Sequence, residues 1–156
     1  MLGGRYKRMM AESAGTPAER SRNLEKAIAA YQRGMEVDLN DYYPTSNLPQ
    51  LYRLRDRPGD RQRATEAEVV TAVACRAAIL NGRADEWTRP TLLANAFDRG
   101  DVDEARRLGA ELEAEGLPGW QLESMISNLR TSLAHHDDDE LTVALSAVVE
   151  RLAQGL

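Results

Sequence analysis

The sequence predicts an all-α protein, a stack of about eight helices arranged as hairpins. Alanine, leucine, arginine and glutamate dominate the composition, whereas valine, isoleucine, threonine and the aromatic residues are sparse, and this balance favours helix over sheet. Several segments repeat apolar residues at the spacing of one helix face, and none shows the sustained period-two alternation of a half-buried strand. Short breaks containing glycine or proline separate these segments, so antiparallel neighbours are expected.

The first half of the chain is predicted to form four helices, at about 2–14, 19–37, 46–56 and 62–81. The second of them carries a regular apolar stripe made of Leu24, Ile28, Tyr31 and Met35. The fourth is apolar on two sides, with Val69 and Val73 on one side and Ala72 and Cys75 on the other. This distribution predicts that the fourth helix packs between two neighbours.

The second half is predicted to form four more helices, at about 87–99, 102–115, 118–134 and 138–154. The last two carry apolar stripes made of Leu122, Ile126, Leu129 and Leu133, and of Leu141, Leu145, Val148 and Leu152. Pro49 and Pro90 are both expected in the first turn of their helices, where a missing N–H costs little. All eight helices are expected to form a single domain, 1–156.

Bulk composition excludes several classes of partner and location. The net charge is −5, so no overall attraction to nucleic acid or to an anionic membrane is expected. No apolar run approaches the roughly 20 residues that span a bilayer, and the N-terminus lacks the apolar segment of a secretory signal. A single cysteine, Cys75, forms no internal disulfide. A cytoplasmic location is therefore expected.

No group of residues has the pattern of a catalytic or cofactor site. The segment His135 to Glu140, "HHDDDE", contains metal-ligand residue types, but its spacing matches no standard zinc site. Asp137 and Glu140 are instead expected to form a capping box that opens the last helix. Cys75 lies in mid-helix without a neighbouring histidine and is expected to be a small core residue. Neither an enzyme activity nor a bound metal or cofactor is predicted.

Arginines are concentrated in the segment "YRLRDRPGDRQRA", residues 52–64. Guanidinium groups suit phosphates and carboxylates, so Arg53 and Arg55 are candidates for one wall of an anion site or for contact with an acidic partner. The alternative is an ordinary solvated link between helices, partly neutralised by Asp56 and Asp60.

Aromatic residues at predicted helix starts are the other candidates. Trp87 and Trp120 each begin a helix, and they either close the end of a helix pair or line a binding face of the stack. The segment "DYYPTSN", residues 41–47, is expected to be a corner in which Pro44 ends one segment and Thr45, Ser46 or Asn47 caps the next helix. One of Tyr42 and Tyr43 is expected to wedge between hairpins and the other to face the groove, together with Asn47.

Two pairs of motifs resemble a known family. "LGGRY" and "AIAAYQRG" are similar to the two helices of a tetratricopeptide repeat, and "RGDVDEA" is a weaker match. The longer segment "AIAAYQRGMEVDLNDYYPTSNLPQL" resembles the tetratricopeptide-like sensor (TPR-S) or TRAFs-binding domain family, found in apoptosis signal-regulating kinases and bacterial relatives. "WQLESMISNLR", Trp120 to Arg130, resembles the closing segment of that family. Thr45-Ser46 replaces the family's Gly-Ile, and Leu39 stands where such repeats usually have proline.

The resemblance implies a helical-hairpin solenoid that acts as a sensor or adaptor in stress or bacterial conflict signalling. It also adds Glu123, Asn128 and Arg130 to the candidate ligand-binding residues. Domains of this family often lie beside a nucleotide-processing domain, so a fused or neighbouring effector enzyme is implied. Two hypotheses follow: a groove that binds a small anionic, nucleotide-derived ligand, or an adaptor that binds a protein partner or forms a homo-oligomer.

Overall fold

The computed structural model describes residues 16–155, and all of their secondary structure is helical. The predicted helix 2–14 and the "LGGRY" motif lie outside the described residues. Between residues 16 and 155 there are seven helices: α1 (Pro17–Val37), α2 (Tyr42–Arg55), α3 (Asp60–Leu80), α4 (Thr88–Arg99), α5 (Val102–Glu115), α6 (Gly119–Leu133) and α7 (Asp139–Ala153). The all-α prediction is confirmed, and the architecture is consistent with a tetratricopeptide-like solenoid of helical hairpins.

The chain divides into two compact units between Ala74 and Cys75, inside α3. In the first unit, α1 packs against α2 as a hairpin. In the second, α4 pairs with α5 and α6 pairs with α7, while α4 also contacts α6 and α5 contacts α7. The second unit is therefore two stacked hairpins, each helix lying on its equivalent in the next pair. The single domain 1–156 remains a prediction.

The core of the first unit uses the predicted apolar faces. Leu24, Ile28 and Tyr31 of α1 are buried against Leu48 and Tyr52 of α2. The two helices are in close contact at Gly34, where an added Cβ would lie 2.9 Å from Cβ and Cγ of Pro44. Glycine is favoured at this position because an added side chain would press against the proline ring.

The core of the second unit is built in the same way. Leu93, Ala96 and Phe97 of α4 and Leu129 and Leu145 of the last hairpin are all fully buried. At Gly109 an added Cβ would lie 2.8 Å from Val148, so α5 and α7 also cross closely. The stripes predicted on α6 and α7 therefore form part of this core.

Two expectations about the helices are wrong. The segment "DYYPTSN" forms the N-cap and the first two turns of α2, because Asp41 is the N-cap and its Oδ1 accepts the N–H of Tyr43 at 3.0 Å. Pro44 is the third helical residue, where no N–H is needed, so it starts a helix instead of ending a segment. Consequently Pro49 lies inside α2 and not in its first turn.

The cap of the last helix and the surroundings of α3 also differ from expectation. Asp138, not Asp137, caps α7, with its Oδ1 accepting the N–H of Leu141 at 3.0 Å. On α3, Val69 and Val73 remain 53% and 58% exposed, so this apolar side is not covered as predicted. Among the residues that the structure describes, no helix has the length and apolarity needed to cross a bilayer.

Candidate functional site

Five of the ten candidate residues lie on α2, at its two ends. Tyr42, Tyr43 and Asn47 occupy the first two turns, whereas Arg53 and Arg55 occupy the last turn. The helical rise separates Tyr42 from Arg53 by about 16 Å along the axis. The aromatic and the cationic candidates of α2 therefore do not form one compact site.

The aromatic end of α2 is held against α1. The ring of Tyr43 contacts the buried ring of Tyr31, with centroids 6.1 Å apart. Tyr43 is still 40% exposed, and Tyr42 is half-buried. The Nδ2 of Asn47 donates to the carbonyl oxygen of Tyr43 at 2.8 Å. Neither tyrosine is a buried wedge, because Pro44 fills the space beside Gly34.

The arginines at the other end of α2 are paired with carboxylates. Arg55 donates from Nε and Nη2 to the two oxygens of Asp60, at 2.8 and 2.6 Å, and from Nη1 to Glu25 at 3.0 Å. Arg53 forms an ion pair with Glu68. A phosphate would have to compete with carboxylates that already receive these guanidinium groups in a favourable fork geometry. The cluster is thus organised to join α1, α2 and α3.

Asp60 is the centre of this network and its side chain is 1% exposed. It also accepts the backbone N–H of Arg57 at 3.0 Å and a hydrogen bond from Arg63 at 3.2 Å. The hydrogen bonds from Arg55 hold the pKa of Asp60 well below its usual range, and this effect exceeds the opposing effect of burial. The carboxylate is therefore ionised at neutral pH.

Because the pKa of Asp60 is lowered by folding, its ionised form stabilises the protein above the pKa of the unfolded chain, about 3.9. That stabilisation is lost as the pH falls through the folded pKa. We expect Asp60→Asn to lower the urea midpoint at pH 7, and the gap from the parent protein to narrow below about pH 4. Asp103→Asn is the matched control, because the Asp103 side chain is 99% exposed. Equal midpoints of Asp60→Asn and the parent at pH 7 would contradict the expectation.

A second corner in the other unit has the same arrangement. Arg99, in the last turn of α4, donates from Nη2 to Glu104 in the first turn of α5 at 2.6 Å. Glu104 also accepts two hydrogen bonds from Arg76, at 2.7 and 2.9 Å, and its side chain is 8% exposed. Both corners thus join an arginine to a buried carboxylate five residues later. We did not predict these pairs, although the shared spacing of Arg55–Asp60 and Arg99–Glu104 is visible in the sequence.

The two tryptophans form a contact within the second unit. The Trp87 and Trp120 rings have centroids 5.8 Å apart and are tilted by 60°. The Nε2 of Gln121, on α6, donates a hydrogen bond to the carbonyl oxygen of Glu86 at 2.9 Å. This bond connects the link before α4 to α6. Trp120 nevertheless remains 64% exposed and Trp87 37% exposed. The two rings therefore form a solvent-accessible aromatic surface, and a hydrogen bond between α6 and the link before α4 holds them together.

Two of the other three candidates, Glu123 and Arg130, extend this surface along α6. At 100° per residue, Ser127 and Thr131 lie within about 20° of Trp120, Glu123 and Arg130 lie about 60° and 80° to one side of it, and Asn128 lies about 80° to the other side. A surface depression of about 470 Å³ lies on this face and is lined by Glu123, Ile126, Ser127, Arg130 and Thr131. We call Trp120 together with these five residues the α6 face. It contains an aromatic ring, two hydroxyl groups, a carboxylate and a guanidinium group.

The residues considered for catalysis have structural roles. Cys75 is fully buried, and burial raises the pKa of its thiol to about 12, so it is protonated at neutral pH. His136 donates from Nε2 to the carbonyl oxygen of Phe97 at 2.6 Å and thereby ties the link before α7 to the end of α4. Residues 16–155 contain no group of three or more metal-ligand side chains placed to hold an ion.

Comparison with known proteins gives one match. The family model described as Tetratricopeptide Repeats-Sensor matches residues 1–52, one third of the chain. Its described part covers α1 and most of α2, including Gly34, Tyr43 and Pro44 at the hairpin contact. Comparison with curated proteins and with solved structures found no significant match. The resemblance seen in the motifs is thus confirmed over residues 1–52, which are similar to the Tetratricopeptide Repeats-Sensor family.

Proposed function

We propose that this chain is a non-catalytic recognition module in stress or bacterial conflict signalling, and that its α6 face binds a small anionic, nucleotide-derived ligand. The observation that carries the proposal is the depression on α6 lined by Ser127, Arg130 and Thr131, together with the exposed Trp120 earlier on the same helix. The similarity of residues 1–52 to a sensor family supports recognition as the general role.

Each group of the α6 face offers a contact to such a ligand. Trp120 offers a flat surface on which a base can stack, and its contact with Trp87 limits the motion of the ring. Arg130 is exposed and offers a fork of N–H donors to a phosphate. Ser127 and Thr131 add hydroxyl groups to the same depression. Glu123, next to Trp120, can accept a hydrogen bond from an exocyclic amino group.

The spacing of these groups constrains the ligand. Trp120 and Arg130 are separated by about 15 Å along the helix axis. Glu123 lies between them, near the aromatic end, and disfavours a phosphate there. A ligand that contacts both ends therefore carries its base at the N-terminal end of α6 and its phosphate at the other end, and it is longer than a mononucleotide. Dinucleotide-like molecules and cyclic oligonucleotides meet these requirements.

The α6 face is favoured over the arginine cluster of α2 for an electrostatic reason. Arg53 and Arg55 already donate to buried or partly buried carboxylates. Removing them from these carboxylates would leave charges without partners and would destabilise the corner. Recognition without catalysis is supported by the protonated thiol of Cys75 and by the use of His136 in a backbone contact.

The proposal predicts that a library of cyclic dinucleotides, cyclic oligonucleotides and NAD-derived metabolites contains a compound that raises the melting temperature. For that compound, Arg130→Ala and Trp120→Ala should each weaken binding about tenfold or more in titration calorimetry. The matched control is Arg106→Ala on α5, whose side chain is 62% exposed. No shift with any compound, or unchanged affinity in both α6 variants, would refute the proposal.

A further inference from the structure

An apolar stripe on α3 is exposed to solvent. Val69 and Val73 are more than half exposed, and Leu80 is 85% exposed. The opposite side of the same helix contains buried residues such as Ala67, Ala74 and Cys75. An aliphatic stripe that is left open on a continuous helix is typical of a surface that packs on another helix.

The exposed residues of α3 follow the spacing of a coiled-coil seam. Six exposed residues of α3 follow one another at steps of four, three, four, three and four positions: Gln62, Glu66, Val69, Val73, Arg76 and Leu80. This alternation of three and four is the pattern of positions a and d in a heptad. We call these six residues the α3 seam.

The seam is complementary to itself in the antiparallel direction. When two copies of α3 cross at the level of residue 71, Glu66 of each copy lies opposite Arg76 of the other, and Val69 lies opposite Val73. The same register places the small side chains of Thr65 and Ala77 opposite each other. A parallel pair would instead place Glu66 against Glu66 and Arg76 against Arg76, and like charges in contact disfavour that arrangement.

Both charged members are able to make this contact. Glu66 accepts a hydrogen bond from Gln62 of the same helix at 2.9 Å, and its carboxylate has further acceptor positions. Arg76 uses one Nη for Glu104, while its side chain is 48% exposed and keeps other N–H donors. The Arg76–Glu104 pair also holds the guanidinium group in place at the seam.

We propose that the α3 seam is an interaction surface for a second copy of this chain, which packs against it antiparallel. The inference does not depend on the α6 face or on any ligand. Three aliphatic side chains per copy make a small interface, so the dimer is weak, with a dissociation constant in about the micromolar range.

Sedimentation equilibrium of the full chain from about 1 to about 200 µM tests the proposal, because this range spans a micromolar dissociation constant. A reversible monomer–dimer equilibrium is expected. Val73→Asp should weaken dimerisation by at least about tenfold, since it places carboxylates in the centre of the interface. Val143→Asp on α7 is the control, because Val143 is 71% exposed and lies outside the seam. A protein that stays monomeric up to the highest concentration, or Val73→Asp and Val143→Asp behaving alike, overturns the proposal.

Charge exchange tests the antiparallel register. Glu66→Arg alone should weaken the dimer, because it places two pairs of arginines opposite each other, and higher salt should partly restore it. Arg76→Glu alone should do the same, and an equimolar mixture of the two variants should form a heterodimer with both ion pairs restored. Circular dichroism checks the folding of Arg76→Glu, which also loses the contact with Glu104. If Arg76→Glu does not fold, the salt dependence of dimerisation by Glu66→Arg is by itself the test of the register. A dimer unaffected by Glu66→Arg contradicts the register.

Discussion

Truncation of Phe97 to alanine is expected to lower the free energy of unfolding by about 3–5 kcal/mol. Phe97 is fully buried in α4 between the helices of the second unit, so the change removes a large apolar side chain and leaves a cavity. Its carbonyl oxygen accepts both the N–H of Gly100 at 3.0 Å and the Nε2–H of His136 at 2.6 Å. A backbone shift at this position would therefore disturb the end of α4 as well as the core.

Urea unfolding at pH 7 measures this effect. The matched control is Trp87→Ala, which also removes a large aromatic side chain from the start of α4, but from a position that is 37% exposed. The control should lose clearly less free energy of unfolding than Phe97→Ala. Part of the Trp87 ring is already in contact with water, so its removal leaves a smaller cavity. A loss below about 1 kcal/mol for Phe97→Ala would show that the second unit is not packed around this residue.

The helices themselves follow from local features of the sequence. Apolar stripes at helical spacing identified α1, α6 and α7, and glycine or proline marked the starts of α1 and α6 and the ends of α3, α4 and α5. The start of α2 was placed four residues too late, because Pro44 was taken to end a segment and the cap was sought after it. Asp41 supplies that cap in the structure, and the first turn of a helix accepts proline without losing a hydrogen bond.

Properties that depend on distant partners could not be predicted in the same way. Two apolar sides on α3 indicated burial on both, yet the sequence alone does not tell whether a neighbour covers the side with Val69 and Val73. The arginine cluster resembled an anion site because two of its carboxylate partners, Glu25 and Glu68, lie outside the arginine-rich segment of the sequence. The contact between Trp87 and Trp120 likewise depends on how α4 and α6 stack.

The "DYYP" segment and Gly34 now have a joint explanation, and it leads to the second large expected effect. Gly34→Ala should lower the free energy of unfolding by about 1–3 kcal/mol, although alanine is the better helix former at an open site. The added methyl group would lie 2.9 Å from both Cβ and Cγ of Pro44. The proline ring is rigid and buried, so relief requires α1 and α2 to move apart. That movement would also separate Tyr31 from Tyr43, whose rings are 6.1 Å apart.

Gly119→Ala is the matched control for this substitution, because Gly119 is also helical and an added Cβ meets nothing within 4 Å. It should change stability by less than about 0.5 kcal/mol or raise it slightly. Urea unfolding of the parent protein, Gly34→Ala, Pro44→Ala and the double variant provides a double-mutant cycle. Removal of the ring carbon Cγ should recover part of the loss, giving a coupling of at least about 0.5 kcal/mol. If Gly34→Ala proves as stable as Gly119→Ala, the packing of α1 on α2 does not depend on the close contact between Gly34 and Pro44. The expectation that glycine is favoured beside the "DYYP" segment would then be wrong.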